Sequence, residues 1–197
     1  MHAPGKRVSE DTEILLGVSG FKPVKSVKLL GVTIDRFLTF GPHIDTVVSK
    51  CNSLLGMLGR ASSLLPTQLL RTAYVSLIRS HAEYCSAVWA SAASTHLHKV
   101  DVIQKRASRI LLHAHRDAHS EPLQRILKLD SLELRRQKHI CKIVQRCIDD
   151  NYNPVLDNLF SLNNNDGKLL YDNKSRINIG KRRFENFAAE IYMKLWT

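Results

Sequence analysis

Apolar residues recur along most of the chain at spacings of three and four, the pattern of helices that bury one face. From Pro42 the series runs Ile44, Val47, Val48, Cys51, Leu54, Leu55, Leu58 and Ala61. Pro42 itself suits a first helical turn, where its missing N–H would have no intrahelical partner anyway. Pro66 repeats the device ahead of Leu70, Ala73, Tyr74, Leu77, Ile78, His81, Tyr84, Cys85, Val88 and Trp89, which predicts a second, long amphipathic helix. A third is expected to start with Ser94 as its N-cap and to turn Leu97, Val100, Ile103, Ala107, Ile110, Leu111 and Ala114 inward. Ser120 then opens a short helix. Asp130, with Glu133 three positions on, reads as a capping box for a longer one striped by Ile140, Ile143, Val144, Cys147 and Ile148.

The two ends of the chain have other rhythms. "TEILLGVSG", Thr12 to Gly20, and "SVKLLGVTI", Ser26 to Ile34, are short apolar runs, the second rich in β-branched residues. Gly20 and Pro23 supply a turn between them, so a β-hairpin or two adjacent strands is expected. Near the other end Pro154, three consecutive asparagines and Asp166-Gly167 place a loop boundary near Asn163. The closing "RINIGKRRFENFAAEIYMKLWT" is basic and then amphipathic, and predicts a final helix that packs back on the body. The fold class is mainly α, with a small N-terminal β-hairpin.

Charge adds the first functional constraint. Across 197 residues, 29 Lys and Arg face 18 Asp and Glu, a formal net charge of +11, which favours a polyanionic partner. Nucleic acid is the first candidate and a membrane surface the second. No apolar run approaches the roughly 20 residues of a bilayer span, and "MHAPGKRVSEDTE" holds no apolar signal core. The expectation is an intracellular protein, nuclear or cytoplasmic. The four cysteines, Cys51, Cys85, Cys141 and Cys147, form no CxxC pair and read as small apolar core residues.

Residues able to carry catalysis are sparse. The adjacent carboxylates Asp149-Asp150 sit at a predicted helix end, a poor electrostatic site for anions, and solvent-facing acids explain them. His96, His98, His113, His115 and His119 flank the third helix, but His113 and His115 point about 200° apart on a helix. His115 and His119 are the one i, i+4 pair among them. No phosphate-cradling glycine loop, nucleophile elbow, HExxH or dinucleotide fingerprint is present.

The basic residues are the better signal. Lys99, Lys105, Arg106 and Arg109 share a face of the third helix, with Arg116 beyond its end, and Arg135, Arg136 and Lys138 form a second cluster. Such side chains contact phosphates and set affinity without reading sequence. The alternative is a solvated helix face. Tyr84 and Trp89 could stack on bases, although their place on an apolar stripe suits core packing.

The order of four stretches, "VKLLGVTID", "LTFGPHIDTVVSKCNSLLGML", "LLRTAYVSLIRSHAEYCSAVW" and "LHKVDVIQKRASRIL", resembles the C-terminal part of non-LTR (LINE-like, jockey-type) retrotransposon reverse transcriptases. "SLELRRQKHICKIVQ" is similar to the segment that follows there, so the resemblance covers most of Val24 to Asp157. It implies a primer-grip-like hairpin at Leu29, Leu30, Gly31 and Val32, then a thumb-like helical bundle. The implied layout is a partial palm-like strand over 1–23, the hairpin over 24–40 and thumb-like helices over 41–118. A post-thumb segment over 119–160 and a loop with a helical tail over 161–197 complete it.

The implied partner is an RNA–DNA hybrid or a DNA duplex, with no membrane involved. These polymerases carry an aromatic-x-Asp-Asp motif and an earlier Asp for metal-assisted phosphoryl transfer. No such segment precedes Val27, so the chain is expected to bind nucleic acid without polymerising. No cofactor is expected in it, magnesium belonging to the complete polymerase. A helical protein-interaction adaptor and a non-functional remnant of a mobile element are the other readings.

Overall fold

Two antiparallel ribbons come first among the described residues. β1 (Ile14–Leu16) pairs with β2 (Ser19–Phe21), and β3 (Ser26–Leu29) pairs with β4 (Val32–Asp35), Ser26 opposite Asp35 and Leu29 opposite Val32. The reversal does not fall at Gly20 and Pro23, where the turn residues put it. Gly20 pairs with Leu15 inside β2, and the run read as one strand folds back at Leu30 (φ 46°) and Gly31 (φ 85°). Two successive residues of positive φ make the tight turn whose twist suits a hairpin, and glycine adopts that backbone at no steric cost. The computed structural model describes residues 14–16, 19–149, 160–162, 169–170 and 183–196. The expected boundary near Asn163 and the carboxylate of Asp150 lie outside the described residues.

Asp35 ties the hairpin to the first helix. Its carboxylate accepts from the backbone N–H of Phe37 at 3.2 Å, Thr39 at 3.1 Å and Phe40 at 2.7 Å, and from the Thr39 hydroxyl at 2.9 Å. Burial pushes the Asp35 pKa up, but the hydrogen bonds from Thr39, Phe40 and Phe37 outweigh it and hold the carboxyl below its ordinary value. A depressed folded pKa means stability that is full above the ordinary carboxylate range and is lost as pH falls through the folded value. Asp35→Asn is therefore expected to cost about 1 kcal/mol at neutral pH. The gap to the parent protein should narrow in acid, as denaturant melts at several pH values would read.

Helix α1 (Gly41–Ala61) starts with Pro42 in its first turn and buries Ile44, Cys51, Leu55 and Leu58, as the stripe predicts. Burial pushes the Cys51 thiol up to about 11, so it serves as a small apolar core residue. The second predicted helix is not continuous. α2 (Thr67–Ala73) runs into a π-helical stretch, Tyr74–Arg79, and a last turn, α3 (Ser80–Glu83). The chain then breaks at Tyr84 and Cys85 and resumes as α4 (Ser86–Trp89). Cys85 stands at φ 50°, a backbone conformation that costs an L-residue roughly 1–2 kcal/mol. Cys85→Gly should relieve part of it and raise stability by up to about 1 kcal/mol in urea unfolding.

α5 (Ser94–Leu111) is the central helix, burying Val100, Ile103, Ala107 and Leu111. Its N-cap is Ala93, with no side-chain cap bond, so Ser94 is the first helical residue instead of the expected cap. α6 (Ser120–Ile126) follows, then α7 (Leu132–Ile148). The expected box at Asp130 and Glu133 does not form. Ser131 caps α7 by accepting from the Leu134 N–H, and Asp130 pairs with Lys138 at 3.0 Å. A short ribbon, β5 (Ser161–Leu162) with β6 (Leu169–Leu170), precedes α8 (Phe184–Trp196). α8 packs on α7, the return that its amphipathic pattern predicts.

Two apolar clusters form among the described residues. The larger joins α1, the α2–α3 rod, α5, Trp89 and Val32 of the hairpin. The smaller joins Ile140, Val144 and Cys147 of α7 to Ala188 and Ala189 of α8, with Phe160 against them. A buried polar relay fixes the first: the Tyr74 hydroxyl donates to Gln104 Oε1 at 3.1 Å, and Gln104 Nε2 donates to the Asp130 carbonyl at 2.9 Å. Both ends of that buried amide are satisfied, as a dry core requires.

Candidate nucleic-acid interface

Helices α1 and α5 run parallel, an arrangement visible in their cross-links. Lys99 reaches Asp45 at 2.6 Å, Arg106 reaches Asn52 at 3.0 Å, and Ile110 lies against Gly59. Both C-termini therefore arrive at the same end of the molecule. There Gly59, Ser62, Arg106, Arg109, Ile110, His113, Ala114 and Arg116 line a groove of about 540 Å³. Two helix C-termini carry partial negative charge, which the arginines offset.

The three arginines are held differently. Arg109 is half-buried and donates from Nε to the Ala118 carbonyl at 2.9 Å, which folds the loop after α5 back over the groove. Arg106 is exposed, with Nη1 on Asn52. Arg116 is 88% exposed and leans on Asp117 at 3.5 Å. Arg109 thus provides a fixed wall while Arg106 and Arg116 have guanidinium edges open to solvent. A planar guanidinium presents paired N–H donors that match phosphate oxygens.

The other predicted cations stand elsewhere. Lys99 faces Asp45 on the outer side of the α1–α5 pair. Lys105 lines a separate depression together with Asp101, Glu121 and Glu133. Arg135 forms a bidentate pair with Glu83, a hydrogen bond that raises its pKa and joins α7 to α3. Arg136 is 4% exposed, so it faces no solvent phosphate, and it donates from Nη2 to Asp101 at 3.0 Å. Lys138 is spent on Asp130. The second basic cluster of the sequence is, in the fold, the set of ion pairs that seats α7.

At the hairpin, Leu29 and Leu30 are exposed, Leu30 by 82%, whereas Val32 is buried in the main core. Trp89 is fully buried and cannot stack on a base, and Tyr84 is half-exposed at the hairpin tip. The histidines do not converge. His96 lies under Gly41, His113 lines the groove, and among the described residues no three His, Cys, Asp or Glu side chains could hold a metal. Asp149 accepts from its own helix at Gln145. No helix among the described residues is long and apolar enough to cross a membrane.

Gly59 and Ser62 enter the groove without having been singled out from the sequence, beside His113, which the sequence offered only as one of several histidines near the third helix. Only the parallel pairing of α1 with α5, which joins segments more than fifty residues apart, brings them together.

The structure thus sets a mainly helical body beside a β-hairpin and an arginine-lined groove. Over 123 residues, 60% of this chain and 14% of the other, the chain is 28% identical to the probable RNA-directed DNA polymerase from transposon BS of Drosophila melanogaster. Over 118 residues, 58% and 13%, it is 25% identical to the probable RNA-directed DNA polymerase from transposon X-element of the same fly. The chain is thus similar to reverse transcriptases encoded by transposons, and it matches about one seventh of the length of these curated relatives. No family model and no solved structure matches it.

Proposed function

We propose that this chain is the product-holding part of a non-LTR retrotransposon reverse transcriptase, a thumb-like bundle with a primer-grip-like hairpin, and that it binds an RNA–DNA hybrid or a DNA duplex without polymerising. The observation that carries the reading is the convergence of Arg106, Arg109 and Arg116 on one groove. Similarity to RNA-directed DNA polymerases supports the choice of partner over other polyanions. In this reading the groove grips the phosphate backbone while Leu29, Leu30 and Gly31 meet the primer strand. Val32 roots the hairpin in the core. Lys99 and Lys105 stand at the margins, and Arg135, Arg136 and Lys138 hold α7 instead of nucleic acid.

The reading has a quantitative consequence. Three arginine–phosphate contacts release about three counterions, so log affinity should fall against log salt with a slope near −2.7, roughly 40-fold between 50 and 200 mM. Fluorescence anisotropy of a labelled RNA–DNA hybrid across a salt series measures it. A flat salt dependence, or no binding at low salt, would remove the groove from nucleic-acid recognition.

A further inference from the structure

The hairpin tip is clasped by a side chain that the helix break releases. Tyr84 is the last residue before Cys85 takes its left-handed conformation, and its ψ of 124° turns the chain out of the helix. Its hydroxyl donates to the Leu30 carbonyl at 2.8 Å, across 54 positions of sequence. A Cβ on Gly31 would sit 3.5 Å from Tyr84 Cε1, so the ring lies against the turn itself. Had the helix continued, Tyr84 would have joined the apolar stripe to which its spacing assigns it.

The clasp is anchored from behind. Trp89, fully buried, donates from Nε1 to the Tyr84 carbonyl at 2.9 Å. The Trp89 ring lies 6.3 Å from that of His43, whose Nδ1 accepts from the Thr33 N–H of β4 at 3.4 Å. One core side chain thus lies behind both the tip of the hairpin and its second strand. The exposed tip, where Leu30 could otherwise sway, is tied to the same rod that packs on α1 and α5.

We propose that Tyr84 is a positioning residue: it fixes the Leu30–Gly31 tip relative to the arginine groove, so that a bound strand meets the tip at one nucleotide. This rests on the reading of the hairpin as a strand-contacting element. A local hydrogen bond of this type is worth about a fivefold bias between clasped and open tips. Losing it leaves the core and the groove in place.

Two measurements on the full chain, with Tyr84→Phe beside the parent, decide the matter separately from the groove. In the first, spin-label amino acids replace the exposed Leu30 and Lys50, and the distance distribution between them is recorded without nucleic acid. The expected result is one narrow distance in the parent and a distribution about twice as broad in Tyr84→Phe, at unchanged thermal stability. Equal widths would overturn the proposal whether or not the protein binds a hybrid. In the second, a photo-crosslinking amino acid at Leu30 is irradiated on a hybrid with a labelled primer strand. The parent should mark one nucleotide, and Tyr84→Phe should spread the same total yield over several at unchanged affinity. An unchanged crosslink position would overturn the positioning role, while absence of all binding would count against the groove and leave the distance measurement to judge Tyr84.

Discussion

Changing Trp89 to alanine should lower the free energy of unfolding by about 3–5 kcal/mol, the usual cost of emptying a large aromatic site in a core. The ring is fully buried, so its removal leaves a cavity between the hairpin, α1 and the α2–α3 rod. It also strands the Tyr84 carbonyl, which loses the indole N–H, and removes the aromatic face 5.9 Å below the Arg136 guanidinium. With total stabilities of about 5–15 kcal/mol for a domain, such a loss leaves little margin. Urea unfolding followed by far-ultraviolet circular dichroism would show it as a lower midpoint at a similar slope. A change below about 1 kcal/mol would mean that Trp89 is not the centre around which the hairpin and the helices close.

The second large effect is expected at Arg136. Its side chain is 5% exposed, and its partner Asp101 is 24% exposed. Removing one member of a buried ion pair leaves the other charge uncompensated, at a cost of roughly 3–5 kcal/mol. Asp101 retains some access to water, so Arg136→Leu should cost about 3 kcal/mol, at the lower end of that range. The diagnostic is the double variant. Arg136→Leu combined with Asp101→Asn should regain much of the loss, because the stranded carboxylate is gone. If the double variant is as unstable as the single one, the guanidinium acts through packing on Trp89 and not through its charge.

These two residues also mark the limits of reading the chain from its sequence. The stripes of α1 and α5 hold: Ile44, Cys51, Leu55, Val100, Ile103 and Leu111 are all core. Periodicity fails at Tyr84 and Cys85, because Tyr84, Cys85, Val88 and Trp89 keep helical spacing across a break that no glycine or proline announces. Cysteine is an unusual residue in a left-handed cap, where glycine is the common choice. The capping box fails for a local reason, since Ser131, one position later, is an equally good cap and Asp130 has Lys138 to pair with.

The charged residues show why a basic face is only partly legible. Spacing puts Lys99, Lys105, Arg106 and Arg109 on α5, but it says nothing about Asp45 and Asn52, which arrive from α1 and engage two of them. Arg136 looks solvent-facing in a polar stretch and is instead buried, donating to Asp101 of α5 and lying over the Trp89 ring. Local pattern puts no turn at Leu30-Gly31, where only the family resemblance implies a hairpin, and the tether of that tip to Tyr84 is a tertiary contact with no trace in local pattern.

The most direct test of the account compares two triple variants in hybrid binding. One changes Arg106, Arg109 and Arg116 to glutamine; the other removes the same amount of charge from exposed positions outside the groove, at Lys99, Lys138 and Lys142. Thermal unfolding of both beforehand checks that Arg109, which holds the Ala118 loop, has not been needed for folding. The groove variant should lose the salt-dependent part of binding, its slope falling from about −2.7 toward zero, while the control keeps a slope within about one unit of the parent. Equal losses in the two variants would mean that binding follows net charge alone, and the groove would then have no claim as the place where this chain holds a duplex.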